Sequence, residues 1–348
     1  MHNHKNDFFA CFRFLQEEKL PFVVYRLPKG NELIVLQQKT PETTYTKTLN
    51  EEGFVFAPFN HVSDHIYIGG KKSECFDIPP QRVRLTPARS ATSKQDKVTY
   101  TKLVIQAKKA IAETPLQKVV VSRKQGAQSY EAIAESFVRL VHTYPNAMVY
   151  YWSHQETGNW IGATPETLLN IHQGTCKTMA LAGTLPFQEN AAPNWSSKER
   201  SEQLLVSDFI QNRLQTLLPK SKVYKSEVQN KRAGNLLHLC THFEFPLESF
   251  TPLQITKILH PTPAVAGVPV EKSIAFIDEN ETHERSYYTG FMGPIGSNTL
   301  KLFVNLRCAQ VEGSNLTLYV GGGITAESDV DKEWHESQRK TETLLNVL

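Results

Sequence analysis

The sequence predicts an α+β fold, with a large, mostly antiparallel β-sheet core and helices packed outside. Three observations carry that expectation. Segments rich in β-branched and aromatic residues often follow one another with no helix between them. Helical periodicity is confined to a few stretches, the longest at 198–218. The chain has 348 residues, 40% apolar and 21% charged, without internal repeats or low-complexity segments. That is ordinary globular composition at a length for about two domains or one large core.

The elements follow in order. A helical start precedes the strands PFVVYRL and ELIVLQQ, with turn-prone PKGN between them. Residues 81–97 are polar and aperiodic, which predicts a surface connection. A helix over about 98–113 places Leu103, Ile105, Ala107, Ala110 and Ile111 inward. The strand LQKVVVSR at 116–123 and a helix near 129–143 come next. The strands MVYYWS, WIGA, LLNIH and TMALAG then lead to the long helix at 198–218, striped by Leu205, Phe209, Ile210, Leu214 and Leu217. KVYKSEV, NLLHLCTHFEF, KLFVNLRCAQV and NLTLYV read as further strands, and a last helix runs from near Asp331 to the C-terminus.

Composition excludes several classes of protein. Thirty-eight Lys+Arg against 35 Asp+Glu leaves a net charge of +3. That is too even for a nucleic-acid surface. No apolar run approaches the roughly 18 residues of a membrane span. The first residues lack the pattern of a secretory signal, so a cytoplasmic location is expected. The five cysteines, at 11, 75, 176, 240 and 308, are odd in number and lack CxxC spacing. Reduced thiols are expected rather than a disulfide framework.

Several groups stand out for chemistry. Lys118 opens KVVVSR and shares a face with Val120 and Ser122. A strand-end lysine ordinarily reaches water. One pointed inward is costly unless paired or uncharged, and desolvation is one way a lysine becomes a base. Glu166 sits at a strand break, Thr164-Pro165, where a carboxylate is either an exposed turn acid or a group aimed into a cleft. Glu199 and Glu202 open the long helix, and Glu333 and Glu336 open the last one, with Lys340 four residues further on. Such acids are favoured by the helix dipole alone. Brought together, they would instead form an all-oxygen site for a hard divalent ion. Arg307 lies in a segment apolar on both faces. Its fork suits either a structural ion pair or a bound carboxylate. The glycines of YVGGGIT are either a tight turn or a close approach of backbone to ligand. HLCTH puts His238, Cys240 and His242 on one side of a strand but lacks an evident fourth ligand, so no metal is expected there.

Taken in order, KVVVSR, IGATPE, LAGT, KERSE, HPTPAVAG, ER with YYTGFMG, LRCA, GGGI and EWHES with Lys340 resemble the chorismate-utilising enzyme family, and within it the isochorismate synthases. The resemblance covers about 98–348. It implies a single chorismate-binding domain over 1–348, with 98–348 the catalytic core and 1–97 a divergent N-terminal part. It further implies an isomerase that adds water to chorismate at C2 and expels the C4 hydroxyl, with Mg²⁺ as cofactor. Lys118 matches the family's base and Glu166 its acid. Glu202 and Glu336 match direct Mg²⁺ ligands, with Glu199 and Glu333 alongside. Arg307 and Tyr288 match positions that grip the enolpyruvyl carboxylate. Gly183, Thr184, Gly321 and Gly323 match contacts around the carboxylates. Lys340 is expected to pair with the acidic cluster, and His260 matches a position near the reacting hydroxyl.

Lys118 stands where ammonia-using relatives generally carry Gln, and Ala182 in LAGT stands where a covalent lysine occurs in PIKGT. No glutamine amidotransferase subunit is expected, and a monomer is. Salicylate synthase, which continues by eliminating pyruvate, is the alternative. Isochorismate feeds menaquinone or catechol siderophores, and the residues do not distinguish the two.

Overall fold

The computed structural model describes residues 7–60, 65–70, 74–81, 89–90, 93–129, 131–190 and 192–348. Asp7 starts α1 (Phe8–Glu18), its carboxylate accepting from Phe9 N–H at 2.9 Å. Phe8, Cys11, Phe12 and Leu15 of this helix form one buried face. There follow β1 (Phe22–Arg26), β2 (Glu32–Gln37), β3 (Tyr45–Thr46), β4 (Gly53–Ala57), β5 (His65–Gly69), β6 (Glu74–Asp77) and β7 (Arg89–Ser90). Next come α2 (Lys94–Glu113), β8 (Lys118–Gln128), α3 (Ile133–Thr143), β9 (Met148–His154), β10 (Gly158–Thr164), β11 (Thr167–His172) and β12 (Thr175–Pro186). After α4 (Ser197–Leu217) run β13 (Tyr224–Lys225), β14 (Gln229–Ala233), β15 (Leu236–Pro246), α5 (Pro252–Leu259), β16 (Gly267–Val268) and α6 (Val270–Asn280). β17 (Phe291–Gly296), β18 (Thr299–Val304), β19 (Cys308–Glu312), β20 (Asn315–Thr325) and α7 (Val330–Leu345) complete the order.

The strands form two antiparallel ten-stranded sheets. One runs β16-β8-β20-β19-β10-β9-β1-β2-β6, with β7 also on β8. The other runs β13-β15-β12-β11-β18-β17-β4-β5-β3, with β14 also on β15. An aromatic layer lies between them. Tyr25, Tyr150, Trp152 and Trp160 from the first sheet pack with Phe54, Phe56 and Phe303 from the second. Helices cover the outer faces: α1, α3 and α7 cover the first sheet, and α4 and α5 the second. The α+β expectation holds, with the sheet core divided in two. Strands from the first 80 residues enter both sheets, β1 beside β9 and β4 beside β17.

The boundaries differ from the sequence reading in instructive places. α2 begins at Lys94, inside the expected surface connection. A reciprocal Ser93–Asp96 capping box fixes its start. Its buried line is Tyr100, Leu103, Val104 and Ala107, and Ile105 faces solvent. Most of the remaining connection lies outside the described residues. In α4 the buried line is Gln203, Val206, Ser207, Ile210 and Leu214, so Leu205, Phe209 and Leu217 flank it. KVYKSEV yields only the two-residue β13. The polar β14, an outer partner of β15, has no apolar alternation to announce it. KLFVNLRCAQV is two strands, not one: β18 belongs to the second sheet and β19 to the first.

One edge of β8 is completed by side chains. Val120 N–H donates to Ala266 O at 2.8 Å. Beyond that point Ser122 N–H donates to the Glu281 carboxylate at 2.7 Å, and Arg285 Nη2 donates to Val120 O at 2.6 Å. Glu281 and Arg285 are themselves paired at 2.6 Å. They satisfy backbone groups that a neighbouring strand would otherwise take.

Buried Arg26 plays the same part at the end of α3. Its guanidinium donates to Tyr144 O and Pro145 O at 2.6 Å each, and to Val141 O at 3.3 Å. Arg26→Met strands these carbonyls in the interior. It is expected to lower unfolding free energy by about 3 kcal/mol, read as a fall in the urea midpoint. An unchanged midpoint would show that the carbonyls find other donors.

Candidate active site between the two sheets

Two short segments carry the chain from one sheet to the other. Thr164-Pro165-Glu166 joins β10 to β11, and Asn305-Leu306-Arg307 joins β18 to β19. They lie side by side. Val304 N–H donates to Glu166 O at 3.0 Å, Ala163 N–H to Arg307 O at 3.0 Å, and Thr164 Oγ1 to Val304 O at 2.6 Å. Arg307 takes a left-handed backbone, φ 49°. The resulting kink separates β18 from β19, which alternation alone does not reveal.

A cavity opens beside this seam. Glu166, Arg307 and Tyr288 line it, with Gly183 and Thr184 of β12, Gly321 and Gly323 of β20, Glu202 of α4 and Lys340 of α7. A second cavity of ≈ 300 Å³ adjoins it, with Pro165 and Arg307 in both walls. Nine of the fourteen residues singled out from the sequence thus meet at one place. His260 is not among them. Its ring packs edge-on against Phe291 at 5.2 Å, and the wall nearby is made by Ala264 and Val265.

The glycines of YVGGGIT are not a turn. They lie within β20, paired with Ser122, Val121 and Val120 of β8. What matters is the missing side chain. A Cβ at Gly323 would stand 2.3 Å from Glu202 Oε1 and 2.9 Å from Lys118 Cε. One at Gly321 would stand 2.9 Å from the Tyr288 hydroxyl oxygen. Gly322 makes room on the other face, toward Tyr100 and Glu333.

Lys118 is fully buried, its Nζ 3.0 Å from Glu202 Oε1. Glu166 is also buried. Burial pushes its carboxyl up to about 7, against the opposing positive charges of Lys231 and Lys118. The carboxyl is therefore protonated in a large fraction of molecules near neutral pH.

Glu202, Glu333 and Glu336 gather around Lys198. Lys198 pairs with Glu333 at 2.7 Å, and Lys340 pairs with Glu336 at 2.7 Å. Burial works against ionising Glu336, but Lys340 and Lys198 overcome it and hold the group down at about 2. Burial raises Glu333, opposed chiefly by Lys198. Ser328 Oγ donates to Glu333 Oε1 at 2.7 Å. Arg123 reaches from β8 to Ser337 Oγ at 3.1 Å and covers Trp334, which seats α7 against the sheet.

Glu199, expected beside the metal, sits at the start of its helix. Its carboxylate accepts from the Ser196 N–H at 3.0 Å and closes the capping box of α4. The remaining three carboxylates are all-oxygen donors of the kind a hard divalent ion takes. Glu333 Oε2 is buried without a hydrogen bond among the described residues, which leaves it available to such an ion. Among the described residues, no three ligating side chains are close enough to hold an ion as they stand. Each carboxylate meets a lysine through one oxygen instead, so the donor types fit and the remaining oxygens would have to converge on the ion.

His238 went unassigned in the sequence, where HLCTH suggested only an incomplete metal cluster. It lines the cavity. Its Nδ1 lies 2.8 Å from Gly183 O and its Nε2 3.5 Å from Arg307 Nη2. Burial, then the charge of Arg307, drives its pKa down to about 3, so it is neutral. Nδ1–H donates to Gly183 O and leaves Nε2 as acceptor toward the guanidinium. His242 on the same strand is exposed, and all five cysteines are free thiols.

Comparison with known proteins agrees with this architecture. Residues 65–348 match the family described as chorismate binding enzyme. The isochorismate synthase MenF of Haemophilus influenzae is 28% identical over 264 residues, covering 72% of this chain and 60% of that protein. This chain thus spans less than two thirds of that relative's length. The isochorismate synthase EntC of Escherichia coli is 29% identical over 264 residues, covering 72% of this chain and 67% of that protein. Among solved structures, MenF, the menaquinone-specific isochorismate synthase of Escherichia coli, superimposes with a TM-score of 0.76 at 22% identity. The match covers 94% of this chain and 88% of that one. No helix among the described residues is long and apolar enough to cross a membrane.

The raised carboxyl of Glu166 has a consequence for stability. The unfolded chain ionises this group near 4.5, whereas the folded chain keeps its proton to about 7. Folding therefore loses stability as pH rises through that window, and the loss is complete above it. Glu166→Gln escapes the loss. It is expected to match the parent near pH 4 and exceed it by about 3 kcal/mol at pH 8, in paired urea titrations. A constant difference between the two pH values would remove the case for a protonated acid.

Proposed function

This chain belongs to the chorismate-binding enzyme family, and on that footing we propose that it is an isochorismate synthase, converting chorismate to isochorismate. The observation that carries the reading is the buried, proton-holding Glu166 in one cavity with Arg307, Tyr288 and Glu202, the ion-pair partner of Lys118. The relatives named above support the choice of reaction.

The chemistry needs a base for water and an acid for the departing hydroxyl. Lys118 takes a proton from water as its oxygen bonds to ring carbon C2. Both ring double bonds shift, C1=C2 to C1=C6 and C5=C6 to C4=C5, the C4–oxygen bond breaks, and Glu166 gives its proton to the leaving oxygen. One water enters and one leaves, so composition is unchanged and the reaction runs in both directions. Each proton transfer is worth on the order of 10²–10⁴-fold. To act as a base, Lys118 must give up a proton to present a lone pair, and the neutral amine still has N–H groups to donate to Glu202 across their 3.0 Å contact. Arg307, steadied by neutral His238, and the Tyr288 hydroxyl hold the enolpyruvyl carboxylate. Gly183, Thr184, Gly321 and Gly323 let backbone and hydroxyl groups approach the substrate. Glu202, Glu333 and Glu336 would hold Mg²⁺, which supplies Lewis-acid polarisation of the ring carboxylate. Lys340, donating to Gly321 O at 3.0 Å, keeps Glu336 charged and in place.

Incubation with chorismate and Mg²⁺, followed by separation of products, should yield isochorismate alone. Salicylate with pyruvate would assign the chain to the alternative reaction, and unchanged chorismate would overturn catalysis. Lys118→Gln and Glu166→Gln are each expected to cut turnover by about 10²-fold or more while chorismate still binds. Full turnover in either variant refutes that residue's role. EDTA should silence the enzyme, and magnesium-independent activity would remove the metal from the reading. Turnover needs Glu166 protonated, so kcat/KM should fall as pH rises above about 7.

A further inference from the structure

Lys231 belongs to none of the ordered motifs, yet it stands next to the acid. It lies on β14, a strand whose other residues are mostly polar and exposed. The ladder pairs it with His238 of β15, which lines the cavity. Its side chain turns inward, and Nζ donates to Pro165 O at 3.0 Å and lies 3.1 Å from Met179 Sδ. Pro165 precedes Glu166 in the segment that changes sheets, so the hydrogen bond falls on the peptide that aims the acid.

We propose that Lys231 is a positioning residue for Glu166: it pins the sheet-switching turn through the Pro165 carbonyl and keeps a positive charge beside the buried carboxyl. The charged and titratable surroundings fit this role. Lys231 is the largest influence opposing burial at Glu166, ahead of Lys118 on β8. The influence is mutual: burial lowers the half-buried Lys231, and ionised Glu166 acts against that lowering. Burial pushes the Cys240 thiol on β15 up to about 11, so it is neutral and does not compete. The other charged groups lining the cavity are Glu202, Arg307 and Lys340, and His238 there is neutral. Removing the Lys231 charge leaves burial less opposed. The acid then keeps its proton to higher pH and gives it up less readily.

This inference rests on the reading of Glu166 as the general acid, and the test separates the two. The pH profile of kcat/KM is measured for the parent, Lys231→Met, Lys231→Gln and Lys231→Arg, with Glu166→Gln alongside. Lys231→Met and Lys231→Gln should move the alkaline limb upward by about one pH unit, and Lys231→Arg should leave it in place. Lys231→Met, lacking both charge and donor, should also lose about tenfold in kcat with KM changed far less. Lys231→Gln keeps a donor of similar length, so it preserves the turn should Lys231→Met fail to fold. A lysine that merely stabilised the hairpin would lower activity at every pH without moving the limb, and that result overturns the proposal. Full turnover by Glu166→Gln would instead defeat the acid assignment and the proposal with it. If chorismate is not turned over at all, urea titrations of each variant against its own Glu166→Gln partner decide. The pH at which their stability difference stops growing should rise in Lys231→Met and Lys231→Gln, and a fixed value refutes the coupling.

Discussion

The site depends on two chain crossings tied to each other. At Thr164–Glu166 and at Asn305–Arg307 the chain leaves one sheet for the other, and backbone hydrogen bonds of 3.0 Å hold the crossings side by side. A strand that changes sheets exposes peptide groups at the change. Here each crossing satisfies those of its neighbour. The consequence is positional: Glu166 and Arg307 leave the backbone at adjacent points and face one cavity. Neither can move without breaking the ladder that holds the other.

Around that fixed pair, charge is balanced locally. Lys118, Lys198 and Lys340 each meet a carboxylate at 3.0 Å or less, and the carboxylates come from two helices on different sheets. Buried charges are tolerated because they are paired. Pairing has a second effect. It keeps ligating oxygens apart from one another until something of higher charge competes for them. Glu166 is treated differently from the rest. It is buried with lysine charge nearby but no ion pair to a lysine among the described residues, and burial pushes its carboxyl up to about 7.

Much of this was legible in the sequence, and the misses have physical causes. Strand and helix identities followed from periodicity, because each element buries one face. The inward aim of Lys118 could be anticipated from Val120 and Ser122 beside it, but its pairing with Glu202, 84 positions away, could not, since the resemblance offered Glu202 only as a metal ligand. The break at Arg307 was invisible because both flanking strands are buried, so alternation runs unchanged across a kink that one left-handed residue makes. Glu199 and Glu202 look equivalent in sequence, yet one caps its helix and the other faces the cavity, a distinction set by where the helix starts. The glycines of β20 read as a turn because glycine in a strand is unusual. Space for Glu202 and Tyr288 explains them, and that space exists only once the sheets are assembled. Lys231 and β14 carry no apolar signal at all.

The side-chain completion of β8 reaches beyond the fold itself. A sheet that stops at a bare strand offers its unpaired peptide groups to any extended segment that passes, including another copy of the same chain. Here Glu281 and Arg285 already occupy those groups at Ser122 and Val120. They also pair with each other, so an intruding strand would have to leave two opposite charges stranded to gain two hydrogen bonds. The border of the sheet is thereby closed against self-recruitment.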